Sequence, residues 1–476
     1  MIFVLIPIIL FAFFIYFVRF HNNRLFLAYP LIAYLLVWPR FLDEIGIVPL
    51  KGAFGSIQIG DVFLLCFAFV FLMRFFSRNV QSVLFSYRVP LTLVALFVSY
   101  WFLQVLIQYL TGGSRIYTLN QLRSLVYYAF LLFFLVRMRD AKDVADTLRF
   151  ACLLTILIFV IQLIFFALYT NPSLKAFLLR KAPDFYDEVY VQKRFEITNF
   201  KTLFILAPFV LNLFFLPLHE IRLKNMYRIV IFSCAFFLFI VGQSRAMWIL
   251  LAFSMVLSAF LFVKKRRFVY TRIARVIPMA IAGLVVILFA ILAANVFVPD
   301  LIEKLQARTG SLTVESIGTY ETGKEMKSLR SRIQSYDLLL ARLGDDFFFG
   351  KGLGNPVDLH SAFKVGVDST YLMILWAGGL IPLILFLVLE LYVLLKAIKG
   401  YVGATSGFEV YFFASSIASL GITYILAIQD RILYFGNGVI MFVYLSAMVL
   451  VAEKGILSKR KSAEGSLRSS TMGTWK

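Results

Sequence analysis

The stretch 329–386 crowds arginines, an aspartate and glycines directly against a long apolar run, and chemistry at a membrane face is expected there. It opens on Arg330 and Arg332, passes through the turn Gly350-Lys351-Gly352-Leu353-Gly354, and brings Asp368 to the lip of an apolar segment. His360 lies between the turn and that lip. Carboxylate and imidazole groups can accept a proton from a reacting hydroxyl. Guanidinium groups stay charged and offer a planar fork of donors to anionic oxygens. Arg245 adds a fixed charge between two apolar stretches, in Gly242-Gln243-Ser244-Arg245-Ala246-Met247-Trp248. A cation at such a depth is costly unless it snorkels, pairs or faces an aqueous cavity, so Arg245 either caps a tight hairpin or serves function.

Each of these residues also has a plainer reading. Asp368 can be a helix N-cap, since Asp, Ser and Thr all accept from free amides at a helix start, and a cap and a base can coexist. A lone loop histidine such as His360 is ordinarily just solvated. The glycine turn lacks the Lys-Ser/Thr ending of a phosphate-cradling loop, so it reads as a flexible connection. Asp345 and Asp346 read as solvated acids that end a helix. Gln104, Gln108 and Gln162, inside apolar runs, either line a polar path or hydrogen-bond between helices, and the second reading is preferred. Phe11–Phe17 and Phe347–Phe349 are expected at lipid-facing or interfacial positions. His21, His219 and His360 are far apart in the chain and show no zinc spacing, so no metal is expected.

The elements that must position these residues follow from composition. Hydrophobic residues make up 61% of 476, charged residues only 15%, and the mean hydropathy is +0.87, values that exclude a soluble globular domain. Continuous apolar runs also exclude a β-barrel of alternating polarity. An all-α, polytopic transmembrane helical bundle is expected. Cys66, Cys152 and Cys234 all fall in apolar runs and suggest neither a disulfide framework nor a thiolate site. The net charge of +21 is dispersed between apolar segments and so reports topology, with no nucleic acid partner.

About 13 spans are read at 2–18, 25–38, 59–76, 90–110, 123–136, 150–169, 202–217, 229–242, 246–263, 276–298, 369–395, 408–428 and 432–451. The first has no basic start or small-residue cleavage site and reads as a retained helix. Alternate loops are basic, among them Arg222/Lys224/Arg228 and Lys264-Lys265-Arg266-Arg267, which sets the N-terminus outside and the C-terminus inside. Residues 1–297 would thus hold ten spans with an outer loop near 170–201, residues 298–367 a large outer loop, residues 368–451 three more spans, and residues 452–476 an inner tail. Within the large loop, Leu329, Ile333, Tyr336, Leu339 and Leu340 recur as one face of an amphipathic helix, with Arg332 one residue off it. The tail after Lys459 is polar and expected to be disordered.

Three blocks occur in a telling order: Ser244-Arg245-Ala246 opening a span, an arginine helix leading into a Gly-x-Gly turn (Arg332 to Gly354), and Asp368-Ser369-Thr370-Tyr371-Leu372 followed by Gly378-Gly379-Leu380-Ile381-Pro382. In order, spacing and side of the membrane, the region 200–430 resembles the superfamily of O-antigen polymerases and O-antigen ligases.

The resemblance implies a metal-independent, cofactor-free glycosyltransferase of the bacterial inner membrane, working at the periplasmic face. It would move a glycan from undecaprenyl diphosphate to a hydroxyl of another lipid-linked repeat unit, as a surface polysaccharide polymerase. A ligase acting on lipid A core or another acceptor is the alternative, and a transporter of an anionic solute the alternative from another class. A flippase and a chain-length regulator would be partners, beside membrane lipids. Arg245 and Arg332 are the counterparts of arginines that hold the diphosphate, with Arg330, Arg194 and Lys201 as further candidates. Ligases of this kind carry a His-Asn pair where this chain has Asp368-Ser369, which favours polymerase, with Asp368 as the base and His360 as the alternative base.

Overall fold

The computed structural model describes residues 51–52, 55–56, 78–110, 115–181, 186, 200–215, 224–241, 245–265, 339–353, 369–429, 433–434 and 436–472, with scattered positions between 281 and 337. The described residues are almost entirely helical. One short antiparallel ladder, Lys51–Gly52 against Gly55–Ser56, is the exception among them. Of the expected spans, 2–18, 25–38 and 59–76 lie outside the described residues.

The helices in chain order are α1 (Arg78–Ser86), α2 (Arg88–Leu110), α3 (Arg115–Val126), α4 (Phe130–Arg137), α5 (Ala141–Tyr169), α6 (Pro172–Lys181), α7 (Phe200–Leu211), α8 (Asn225–Val241), α9 (Arg245–Lys264), α10 (Thr370–Gly378), α11 (Leu380–Gly403), α12 (Gly407–Gln429) and α13 (Gly436–Met472). Five stretches among the described residues are long and apolar enough to cross a membrane: Arg88–Leu110, Ala141–Tyr169, Leu380–Gly403, Gly407–Ile428 and Gly438–Leu457. Local chemistry starts these helices where they start. Asp140 caps α5 by accepting from Asp143 N at 2.9 Å. At α12, Ser406 Oγ accepts from Glu409 N (3.2 Å), while the Glu409 carboxylate accepts from Thr405 N (2.8 Å) and Ser406 N (3.2 Å). That reciprocal pair satisfies amides that the helix itself leaves open.

The core of the bundle is α12 and α13, buried along most of their length, with α4, α5, α7, α9 and α11 packed against them, α2 on α11, and α8 on α5 and α7. Outward residues of α11 such as Ile384, Leu387, Leu391 and Leu395 are apolar, the pattern of a helix facing lipid. Tyr411 Oη donates to Phe209 O (2.6 Å) and Ser419 Oγ to Ile205 O, so α7 runs antiparallel to α12. Lys265 Nζ donates to Val402 O (3.1 Å) and Tyr401 Oη to Leu261 O (2.6 Å), which puts the end of α9 beside the end of α11. One end of the bundle thus holds the starts of α7 and α9 and the end of α12, and the opposite end holds the ends of α9 and α11 and the start of α12.

Several expectations change here. The expected span 369–395 is two helices folded back on each other. Tyr371 Oη reaches the Glu390 carboxylate at 3.1 Å, yet residues 19 apart in one continuous helix would be separated by about 28 Å. The reversal falls at Gly379, whose φ of +78° suits glycine. The expected span 123–136 is likewise interrupted, by a 3-10 turn at Tyr127–Ala129. The loop near 170–201 contains α6, and Leu178 of α6 is buried. α13 continues as helix to Met472, so the tail described to that point is not disordered; once a span has nucleated a helix, Lys, Ala and Glu extend it at little cost. Leu340 is exposed, and the inward face passes from Leu339 to Leu343. Arg228, expected in a solvated inner loop, is buried at the start of α8, where it donates to Leu213 O at 3.2 Å.

Candidate functional site

The glycine turn is the best-defined feature of the predicted site, and it is not a loose connection. A 3-10 turn at Gly344–Phe347 leads into it, and Asp346 pairs there with Lys351 across the bend. The acid read as solvated is therefore engaged in closing the turn. Gly350 N donates back to Asp346 O at 2.6 Å. The backbone then lies along the C-terminal end of α10: Lys351 N donates to Trp376 O (2.7 Å) and Gly352 N to Ala377 O (3.0 Å). A Cβ on Gly350 would fall 2.5 Å from Gly379 N, and one on Gly379 would overlap the Phe348 carbonyl. Two backbones meet here at a separation that side chains would prevent.

α2 grips the same turn from its other side. Tyr100, Gln104 and Gln108, four residues apart, share one face of α2. Tyr100 Oη donates to Gly378 O (2.5 Å), Gln104 Nε2 to Phe349 O (3.0 Å) and Gln108 Nε2 to Lys351 O (3.3 Å). Thr118 Oγ1 on α3 donates to Leu353 O (3.1 Å). Gln104 and Gln108 thus satisfy carbonyls of an irregular backbone, not partners on another helix as expected. Irregular backbone at membrane depth is tolerated where it is packed in protein and its polar groups are paired.

α10 starts inside the bundle. Its N-cap is Ser369, whose hydroxyl accepts from Leu372 N at 3.5 Å and donates to Ala427 O at 3.3 Å. Thr370 Oγ1 accepts from Leu433 N at 3.1 Å, and both Ser369 and Thr370 are buried. The N-cap of this helix is thus Ser369, and Asp368, for which a cap was read, lies outside the described residues.

Of the predicted site residues, Arg245 is the first residue of α9 and Lys201 the second of α7. Both backbone positions lie at the end of the bundle where α12 ends. The α8–α9 hairpin that presents Arg245 is closed by Trp248 Nε1 donating to Phe239 O at 3.0 Å. Arg194, Arg330, Arg332, His360 and Asp368 lie outside the described residues. A residue passed over in the sequence is Glu390. It is buried in the middle of α11, with Tyr371 Oη on both carboxylate oxygens (3.1 and 3.4 Å) and Tyr424 Oη on its backbone carbonyl (2.7 Å). Its signal was there to be read as one acid inside a run of apolar residues.

Fold and site together define a multi-pass helical membrane protein in which a short helix folds back into the bundle beside a glycine turn. Residues 229–387, about a third of the chain, match the family described as O-antigen ligase. That segment is similar to the O-antigen ligase family, in agreement with the order of the chain's motifs. No curated protein matches the chain.

Proposed function

We propose that the chain is a bacterial inner-membrane polymerase of surface polysaccharide, which joins undecaprenyl diphosphate-linked repeat units at the periplasmic face. The observation that carries the reading is the family match over 229–387, a segment that contains Arg245, Arg330, Arg332, the glycine turn and Asp368. The acceptor hydroxyl oxygen attacks the anomeric carbon of the donor glycan, the carbon-oxygen bond to the diphosphate breaks, and the hydroxyl proton passes to Asp368, with His360 as the alternative base. Charge builds on the leaving diphosphate, and Arg245 and Arg332 stabilise it, with Arg330, Arg194 and Lys201 in reserve. No metal enters this scheme. About 13 spans, an outer N-terminus and an inner C-terminus complete the reading, with a flippase supplying the donor and a chain-length regulator acting on the product.

A ligase that transfers the finished glycan to lipid A core is the second reading, favoured by the family's description and disfavoured by Asp368-Ser369 standing where ligases of this kind carry His-Asn. The test is purified protein incubated with a lipid diphosphate-linked repeat unit, with and without Arg245→Ala or Arg332→Ala. A ladder of products lost in both variants supports polymerase, and a single transfer to an added acceptor supports ligase. No turnover in any sample sinks both and leaves transport of an anionic solute.

A further inference from the structure

Glu390 has no role in the transfer scheme above, yet an acid in the middle of a span is retained only where something uses it. Among the described residues no cation pairs with it. Its carboxylate takes the Tyr371 hydroxyl, at 3.1 and 3.4 Å, and its backbone carbonyl takes the Tyr424 hydroxyl at 2.7 Å. Phe386, one turn earlier on the same face of α11, lies against the Tyr371 and Tyr128 rings, with centroids 6.0 and 5.8 Å away. The first turn of α10 is therefore tied to three parts of the bundle. Ser369 holds Ala427 of α12, Thr370 holds the Leu433 amide ahead of α13, and Tyr371 holds Glu390 of α11.

Of those three ties, the one to Glu390 alone joins α10 to the helix it folds back on. Two apolar helices in a membrane gain little by lying against each other rather than against lipid, so a directional polar contact has to fix their register. We propose that Glu390 is a positioning residue for the transfer site: through Tyr371 it sets the depth and rotation of α10, the helix whose N-cap follows Asp368 in the chain. The role rests on the transferase reading, although the pinning itself does not.

Two measurements on the full chain test it. In steady-state transfer from the lipid diphosphate-linked repeat unit, Glu390→Leu and Tyr371→Phe lower kcat roughly tenfold or more, as small misplacements of reacting groups do, with KM within about twofold. Glu390→Gln, whose amide oxygen still accepts from Tyr371, keeps at least about half the wild-type kcat. In the second measurement, Ile374→Cys on α10, buried in the native chain, is labelled with a small maleimide in a background where Cys66, Cys152 and Cys234 are alanine. Adding Tyr371→Phe or Glu390→Leu speeds labelling roughly tenfold as α10 loosens, while Glu390→Gln does not. Wild-type kcat in Glu390→Leu and Tyr371→Phe, equal loss in Glu390→Gln and Glu390→Leu, or labelling that no variant changes would each overturn the proposal. Absence of turnover by the native chain would remove the transferase reading, and the labelling rates would then decide the pinning alone.

Discussion

Tyr100 donates its hydroxyl to the carbonyl of Gly378 at 2.5 Å, across 278 positions of chain. The bond joins α2, which precedes the segment matched by the family, to the point where α10 turns back into α11. Gln104 stands beside it, donating to Phe349 O at 3.0 Å and to Tyr100 Oη at 2.9 Å. Tyr100→Phe removes one partner and leaves a carbonyl in a poorly hydrated place, so a loss of about 1 to 2 kcal/mol is expected. Gln104→Met, which leaves the Phe349 carbonyl only the long contact of Tyr100 Oη at 3.5 Å, should cost about as much, and the double substitution less than the sum, because the two groups share one network. Unfolding of the detergent-solubilised protein checks both.

The turn should tolerate alanine at none of its close approaches. At Gly352 the backbone has φ +91°, and a Cβ would overlap the Gln108 amide nitrogen. At Gly379 φ is +78°, and the obstruction is the Phe348 carbonyl, which is backbone and cannot swing aside. Gly352→Ala is expected to cost about 1 to 3 kcal/mol, part of it recovered by Gln108→Ala, since a side chain can be removed but the φ strain stays. Gly379→Ala should cost more and gain nothing from Gln108→Ala. Thermal unfolding of the two single and two double variants distinguishes a local clash from a general loss of packing.

Why these constraints escaped the sequence is a matter of what hydropathy can see. The spans 90–110 and 408–428 were legible to within a few residues, because a run long enough to cross lipid announces itself by composition, while 229–242 and 246–263 coincide with shorter apolar helices. The break at Gly379 was hidden because Trp376-Ala377-Gly378-Gly379-Leu380 is apolar whether it continues straight or reverses. The glycine turn looked like a hinge because its partners, Tyr100, Gln104 and Gln108 of α2 and Thr118 of α3, lie some 240 residues away, and composition does not show what those helices meet. Glu390 was visible, but its meaning depends on Tyr371 folding back to meet it.

At the opposite end of the bundle, Glu453 of α13 accepts from Lys396 of α11 at 3.2 Å and lies 3.6 Å from Lys399. The pair is unequal. The Glu453 side chain is 5% exposed and that of Lys396 24%, and Lys396 also lies over the Tyr392 ring at 5.6 Å. Losing the lysine strands a buried carboxylate with the more distant and more exposed Lys399; losing the acid leaves a cation that can reach water. Lys396→Met is therefore expected to destabilise by about 2 to 3 kcal/mol and Glu453→Gln by about 1 kcal/mol or less. Raising salt should change the first difference little, since the carboxylate is buried. Equal losses for the two would show that Lys399 takes over the carboxylate when Lys396 is lost.

Ser369 and Asp368, adjacent in the chain, should separate stability from chemistry. Ser369 supplies the cap of α10 and a bond to Ala427 O, both structural tasks. Ser369→Ala removes the cap and one buried bond, and should lower stability by about 1 to 2 kcal/mol. It should leave turnover of the folded fraction within a few-fold of wild type. Asp368→Asn keeps size and polarity, and because Ser369 already caps the helix it should leave the unfolding midpoint unchanged. Under the transferase reading it removes the base and lowers kcat by roughly two to four orders of magnitude. If His360 is the base, Asp368→Asn is nearly silent and His360→Gln carries the loss. Loss of stability without loss of turnover in Asp368→Asn would return the aspartate to a structural role and move the search for the base elsewhere in the chain.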